Sequence, residues 1–161
     1  MAKRDYRTEE IIVHWDSSRC IHSGICLRSL HSVFNLRQKP WVDVQAAGAD
    51  DIASTIEKCP SGALSYTRLD GPGETPPGTT TVVPSPNGPL YVRGDVEVRD
   101  AEGELLGAGY RMTLCRCGHS QNQPFCDLSH RDIGFTDNPR AIAEHRREAA
   151  DPSGVSGQDA G

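Results

Sequence analysis

Long apolar runs are missing from this sequence. The first apolar cluster, Ile11-Ile-Val13, follows a charged stretch from Met1 to Glu10 and is far too short for a signal segment. Nowhere do apolar residues run on long enough to span a bilayer. Aromatic residues are scarce at 6 per cent and apolar residues together reach only 36 per cent, a thin supply for a large core. Small domains so placed commonly rely on metals or disulfides. No block of basic residues exists and the net charge is -5, which argues against nucleic acid as a partner. A mildly acidic surface suits an electron carrier that docks on a basic patch, and equally any other soluble protein. A glycine-rich nucleotide-binding loop is also absent, and no serine or cysteine nucleophile is evidently paired with a base. The expectation is a cytoplasmic, non-enzymatic protein without a membrane segment, in which cysteines read as metal ligands before disulfides.

What the chain does have is concentrated cysteine. Cys115, Cys117, Cys126 and His130 fall within sixteen residues that also carry Gly118, Pro124 and short polar side chains. Such a loop buries almost nothing, so an inorganic core held by four side chains is the source of order to expect. Cysteines one residue apart cannot face one way from a regular strand, but they can from an irregular turn loosened by Gly118. Cys126 and His130 are four apart and share one side of a helical turn, which Asp127 can cap. Zinc or iron would accept this donor set. Paired cysteines in structural zinc sites are more often two to four residues apart, which counts modestly against zinc. A two-iron rhomb divides the ligands as the spacing does, Cys115 with Cys117 on one iron and Cys126 with His130 on the other.

The run Cys115, Cys117, Ser120, Pro124, Cys126, Asp127, Ser129, His130 resembles the signature of the CDGSH iron-sulfur family, as do Asn87-Gly-Pro-Leu90 and Gly134-Phe135. The resemblance implies a [2Fe-2S] cluster on three cysteines and one histidine, a small all-β cap, and a homodimer. Leu128 stands where that family commonly has glycine, a departure the turn tolerates if the backbone there stays at φ < 0. Arg116, His119 and Arg131 surround the loop, either donating to sulfur or simply solvated. Phe135 is either a cover over the cluster or an ordinary core aromatic.

The first half carries Cys20, Cys26 and Cys59. Met1 to Glu10 reads as a frayed end. Glu10 to Trp15 alternates as a strand, with Ile11, Val13 and Trp15 on one face. Leu27, Leu30, Val33 and Phe34 predict a helix over 25–34, followed by a short extended piece from Lys39 to Val44. A second helix is predicted over 50–58, with Asp50 or Asp51 at its start and Ala49, Ile52, Ala53 and Ile56 as its buried stripe. Cys59-Pro60 stops it, and Ala63 to Leu69 alternates again. Each cysteine has a bland reading as a small buried hydrophobe. The sharper comparison is with bacterial ferredoxins, whose last cluster cysteine precedes proline. Cys20 and Cys26 then take the first and third ligand positions, Cys59 the last, and Ser23 the slot of the missing second. Residues 11–66 resemble the divergent single-cluster ferredoxin-like domains, in Cys20-Ile-His-Ser-Gly-Ile-Cys26, Val33-Phe34, Pro40-Trp41 and Cys59-Pro-Ser-Gly-Ala-Leu64. Three cysteines complete a [3Fe-4S] cluster, whereas His22 or Ser23 would be needed to complete [4Fe-4S].

Residues 70–89 contain six prolines and four glycines, a composition that predicts an extended connector or long loop. Leu90 to Val98, bulged at Gly94, and Leu105 to Leu114 predict a hairpin that delivers Cys115 into its loop. Asn138-Pro139 opens a polar helix from Arg140 to Ala150. The expected layout is α+β: a ferredoxin-like domain at 10–70, a Pro/Gly/Thr-rich linker at 71–87, a β-rich CDGSH-type domain at 88–148, and a disordered tail at 149–161. The expected function is one-electron transfer with an unidentified redox partner, the two centres exchanging electrons if the linker brings the domains together. Cluster transfer, redox or pH sensing, and a zinc-stapled binding module are the alternatives.

Overall fold

Strand β2 (Ile11–Asp16) buries Ile11 and Val13 completely, because alternation turns both to one face. The structure, a computed structural model, describes residues 3–150. β2 is the centre of a three-stranded antiparallel sheet, between β1 (Lys3–Arg7) and β3 (Leu64–Arg68). The expectation of a frayed start is corrected for residues 3–7, which pair with β2 from Arg7↔Ile12 to Lys3↔Asp16. Polarity misleads there because β1 is an exposed edge strand, where charged side chains are an asset against edge-to-edge pairing. Its outer face joins a polar ladder, with the His14 ring nitrogens 2.8 Å from Asp5 Oδ1 and 2.9 Å from Thr67 Oγ1.

Two short helices cover the other face. α1 (Ile25–Ser29) ends five residues before the expected Phe34. The chain turns at Leu30 because Phe34 pairs with Val42 across a returning loop, closed by Asp43 N–H to Val33 O at 2.8 Å. Apolar spacing alone cannot separate that turn from a helix. α2 (Ala49–Ile56) follows the predicted stripe: Ile52 and Ile56 are fully buried and Ala49 and Ala53 nearly so. Gly48, extended at φ -67° and ψ 155°, takes the cap position, leaving Asp50 and Asp51 in the first turn beside the positive end of the helix. With Val33, Phe34, Val42 and Leu64 these side chains form one core, each large member worth about 1.5–3 kcal/mol on full burial.

The second sheet runs β4 (Thr81–Pro84), β5 (Leu90–Arg99) and β6 (Leu105–Leu114), all antiparallel. β4 lies inside the stretch expected to be connector: it is extended, as its composition requires, but hydrogen-bonded to β5. The register slips between Arg93 and Val96, at the expected bulge, where Gly94 passes so close to Thr80 that a Cβ would lie 2.2 Å from Thr80 Oγ1. α3 (Ser129–Asp132) and α4 (Pro139–Ala150) complete the described elements, α4 capped by the Asn138 side chain. α4 takes in Ala149 and Ala150, and the remainder of the expected tail, 151–161, lies outside the described residues. Among the described residues, no helix is long and apolar enough to cross a membrane.

Beyond residue 70 the buried apolar side chains of the described residues are Val92, Met112 and Cys126. That is too little to order the loop after β6 by packing alone. The two sheets meet through Arg111 on β6, whose guanidinium enters the first domain. It donates to Ile56 O, to Cys59 O at 3.1 Å, to Leu64 O at 3.4 Å and to both Glu74 oxygens at 3.0 and 2.7 Å. Gly62 allows this approach, with φ at +64° and a hypothetical Cβ only 2.3 Å from Arg111 O. Arg19 and Asn122 add bonds across the same seam, to Ala108 O and Ser18 O.

Candidate metal centres

The loop that leaves β6 folds back on the strand. Cys115 N–H donates to Pro124 O at 2.8 Å and Cys126 N–H to Thr113 O at 2.9 Å, so the first and last cysteines of the loop are pinned beside one another. Gly118, at φ +77°, makes the turn after Cys117. Cys115 Sγ and Cys117 Sγ then lie 3.7 Å apart, and Cys126 Sγ lies 3.6 Å from His130 Nδ1. Two ligands on one tetrahedral metal, with sulfur at about 2.3 Å and nitrogen at about 2.1 Å, are separated by about 3.8 Å for S/S and about 3.6 Å for S/N. The donors therefore stand in two pairs, each spaced for one metal.

Asp127 ties the two limbs of the loop together. Its carboxylate accepts from Ser129 N–H at 3.0 Å, from Ser129 Oγ at 2.6 Å and, across the loop, from Gln121 N–H at 2.8 Å. The Ser129 hydroxyl first, and the amide donors after it, outweigh burial and hold the carboxyl at about 2. Ser120 works from the other side, donating to Phe125 O at 2.7 Å and accepting from Asn122 N–H. Burial acts to raise the Cys115 thiol, but the amides of Ser120 and Gly118 and the Cys117 side chain outweigh it and leave it below its ordinary value. Cys126 is pushed up, by burial first and by the neighbouring Cys115 and Asp127 charges. Burial also lowers His130, with Arg131 adding to the effect, so the neutral imidazole, the form able to bind a metal, is favoured.

Leu128 departs from expectation: its φ is +77°, in the left-handed region that costs a non-glycine residue about 1–2 kcal/mol. The turn aims its amide at Cys126 Sγ, 3.4 Å away. Arg116 is neither a sulfur donor nor free. It binds Gly88 O and Ser85 O at 2.7 Å each and Asp137, with its guanidinium 5.2 Å from the Phe135 ring centroid. Phe135 is thus a half-buried platform for Arg116. His119 Nδ1 lies 2.7 Å from Cys117 O, while Arg131 is exposed.

In the first domain, Cys20, Cys26 and Cys59 line one cavity of about 300 Å³ walled by Trp15, Trp41 and Leu64. The core brings them together, Cys59 arriving at the end of α2 and Cys26 sitting on α1. His22 and Ser23 line the same cavity, with His22 Nδ1 3.8 Å from Cys20 Sγ and its backbone at φ +48°. Burial raises the Cys20 and Cys26 thiols, and the charge of Cys59 raises both further. Several thiolates crowded into an apolar cavity repel one another, and a positively charged core relieves exactly that repulsion, so this donor set suits a metal centre. Ser61, buried with its Oγ 3.7 Å from Cys59 Sγ, was not singled out by spacing, although it lies inside the Cys59-Pro-Ser-Gly run. All six cysteines are free thiols. Among the described residues, no three His, Cys, Asp or Glu side chains converge tightly enough to hold a single ion.

A mixed α/β unit with a cysteine-lined cavity, joined to a smaller β-rich unit with a Cys3His loop, defines a protein of iron-sulfur, electron-transfer architecture. Residues 6–69 match the family described as divergent 4Fe-4S mono-cluster, and residues 87–131 match the iron-binding zinc finger of CDGSH type. The uncharacterized protein YjdI of Escherichia coli K12 is 40% identical over 63 residues, covering 39% of this chain and 83% of that protein, and its counterpart in strain O157:H7 is equally similar. The chain belongs to the divergent 4Fe-4S mono-cluster family through its first domain, and carries a CDGSH-type domain as its second. Domains of both kinds are typically non-catalytic, metal-binding modules.

Proposed function

We propose that this protein is a one-electron carrier with two iron-sulfur centres. Cys115 and Cys117 hold one iron, and Cys126 and His130 the other, of a [2Fe-2S] cluster. The observation that carries this reading is the pairing of the four donors, at 3.7 and 3.6 Å. Against a mononuclear zinc site stands the one-residue gap between Cys115 and Cys117, shorter than the two to four residues usual between paired zinc cysteines. Cys20, Cys26 and Cys59 hold a second centre, [3Fe-4S] on the cysteines alone or [4Fe-4S] with His22 as the fourth ligand. When bound, such groups supply reversible one-electron chemistry. The chain's own residues set its conditions. Replacing a thiolate by the neutral His130 imidazole removes a negative charge and raises the potential relative to an all-cysteine site. Leu128 and Ser120 N–H groups donate to cysteine sulfur and act in the same direction. Trp15, Trp41 and Leu64 give the first site an apolar wall.

A second reading, cluster transfer or pH sensing, rests on His130, since an imidazole can be protonated and released where a thiolate holds. Anaerobic purification with iron and sulfide counts and electron paramagnetic resonance tests the proposal. Two distinct signals with acid-labile sulfide are expected. A colourless protein containing zinc would refute it.

A further inference from the structure

The two candidate centres are neighbours. Ile21 and Ser23, on either side of His22, share a cavity of about 360 Å³ with Leu128, His130 and Phe135 of the second domain. A shorter connection runs through the seam. Cys59 is bonded to Pro60, whose carbonyl accepts from Thr113 Oγ1 at 3.2 Å. The Thr113 carbonyl in turn accepts from Cys126 N–H at 2.9 Å. Thr113 itself is buried, at 2% exposure. A candidate ligand of each centre is thus linked to the other through Pro60, Thr113 and two hydrogen bonds. Thr113 shares a β6 face with Arg111, which binds Cys59 O and independently holds the seam closed.

We propose that Thr113 is the bridging residue through which the two centres exchange an electron within one chain, an inference that rests on reading both sites as iron-sulfur centres. In the exchange one iron is oxidised by one unit and an iron of the other centre is reduced by one. No covalent bond forms or breaks, and the first electron comes from an external one-electron reductant. The hydroxyl is the feature that matters: valine has nearly the same shape and cannot donate to Pro60 O, whereas serine can.

The test compares the anaerobically purified protein with Thr113→Val and Thr113→Ser. Each is assayed for iron and sulfide, for magnetic broadening between the two paramagnetic signals, and for electron redistribution after flash reduction with less than one electron per chain. In the Val variant the metal content and broadening are expected to persist while redistribution slows several-fold, with the Ser variant restoring it. Redistribution as fast in Val as in the unaltered protein overturns the inference and leaves the two-centre reading intact. Loss of the broadening in Val also overturns it, because Thr113 would then be a structural tie. Absence of iron from either site in the unaltered protein overturns the inference and the two-centre reading together.

Discussion

Replacing Arg111 by methionine should be among the most damaging single changes in this protein. The Arg111 side chain is 3% exposed and its partner Glu74 13%, and two of its bonds reach the carboxylate at 3.0 and 2.7 Å. Methionine fills the space but strands a buried carboxylate and the carbonyls of Ile56, Cys59 and Leu64. Breaking one side of a buried pair costs about 3–5 kcal/mol, because an uncompensated charge remains. The Arg99–Glu97 pair, 49% and 56% exposed, provides the contrast, since exposed pairs are worth about 0–1 kcal/mol. With a urea dependence of about 2 kcal/mol/M, Arg111→Met should lower the unfolding midpoint by about 2 M. Arg99→Met should barely move it. Emission from Trp15 and Trp41 reports the first domain and visible absorbance the centres. The double variant Arg111→Met, Glu74→Leu should regain much of the loss, since the stranded charge goes with it. A midpoint for Arg111→Met equal to that of Arg99→Met would refute the account of how the domains are joined.

Gly62→Ala should destabilise the seam by at least about 1–2 kcal/mol, since it adds left-handed strain to a contact with Arg111 O; X-ray scattering should show a more extended particle, and an unchanged profile would contradict the close approach. Asp127→Asn should flatten the acid limb of stability. The folded carboxyl, at about 2, lies below its ordinary 3.8, so its contribution is complete above about pH 4 and lost as pH falls toward 2. Acid titrations of the two proteins should therefore diverge in that window and nowhere above it. In mildly acidic buffer the visible absorbance of the second-domain centre should fade faster in the unaltered protein than in His130→Cys, because only imidazole is released by protonation near that pH. Equal pH dependence of the two decay rates would count against His130 as a ligand.

The class of chemistry was legible in one dimension. Cys115, Cys117, Cys126 and His130 lie so close along the chain that their meeting needs only local turns, and Gly118, Asp127 and Ser129 are the turn residues that make it. The strand and helix stripes of the first core were legible for the same reason, as periodicities of apolar residues. Strand β1 was not, because its place depends on pairing with β2 and its own side chains are polar. Nor was the left-handed Leu128, whose turn brings its amide to Cys126 Sγ, a contact that spacing does not record.

Local spacing thus determined the candidate donors, the two-part layout and the poverty of core in the second part. Only the tertiary structure decided that Cys59 joins Cys20 and Cys26 in one cavity, and that Arg111 and Thr113 reach Cys59 O and Pro60 O from 52 and 53 positions away. Contacts at that range arise from packing and from the need of buried polar groups for partners, and neither leaves a periodic trace in the chain.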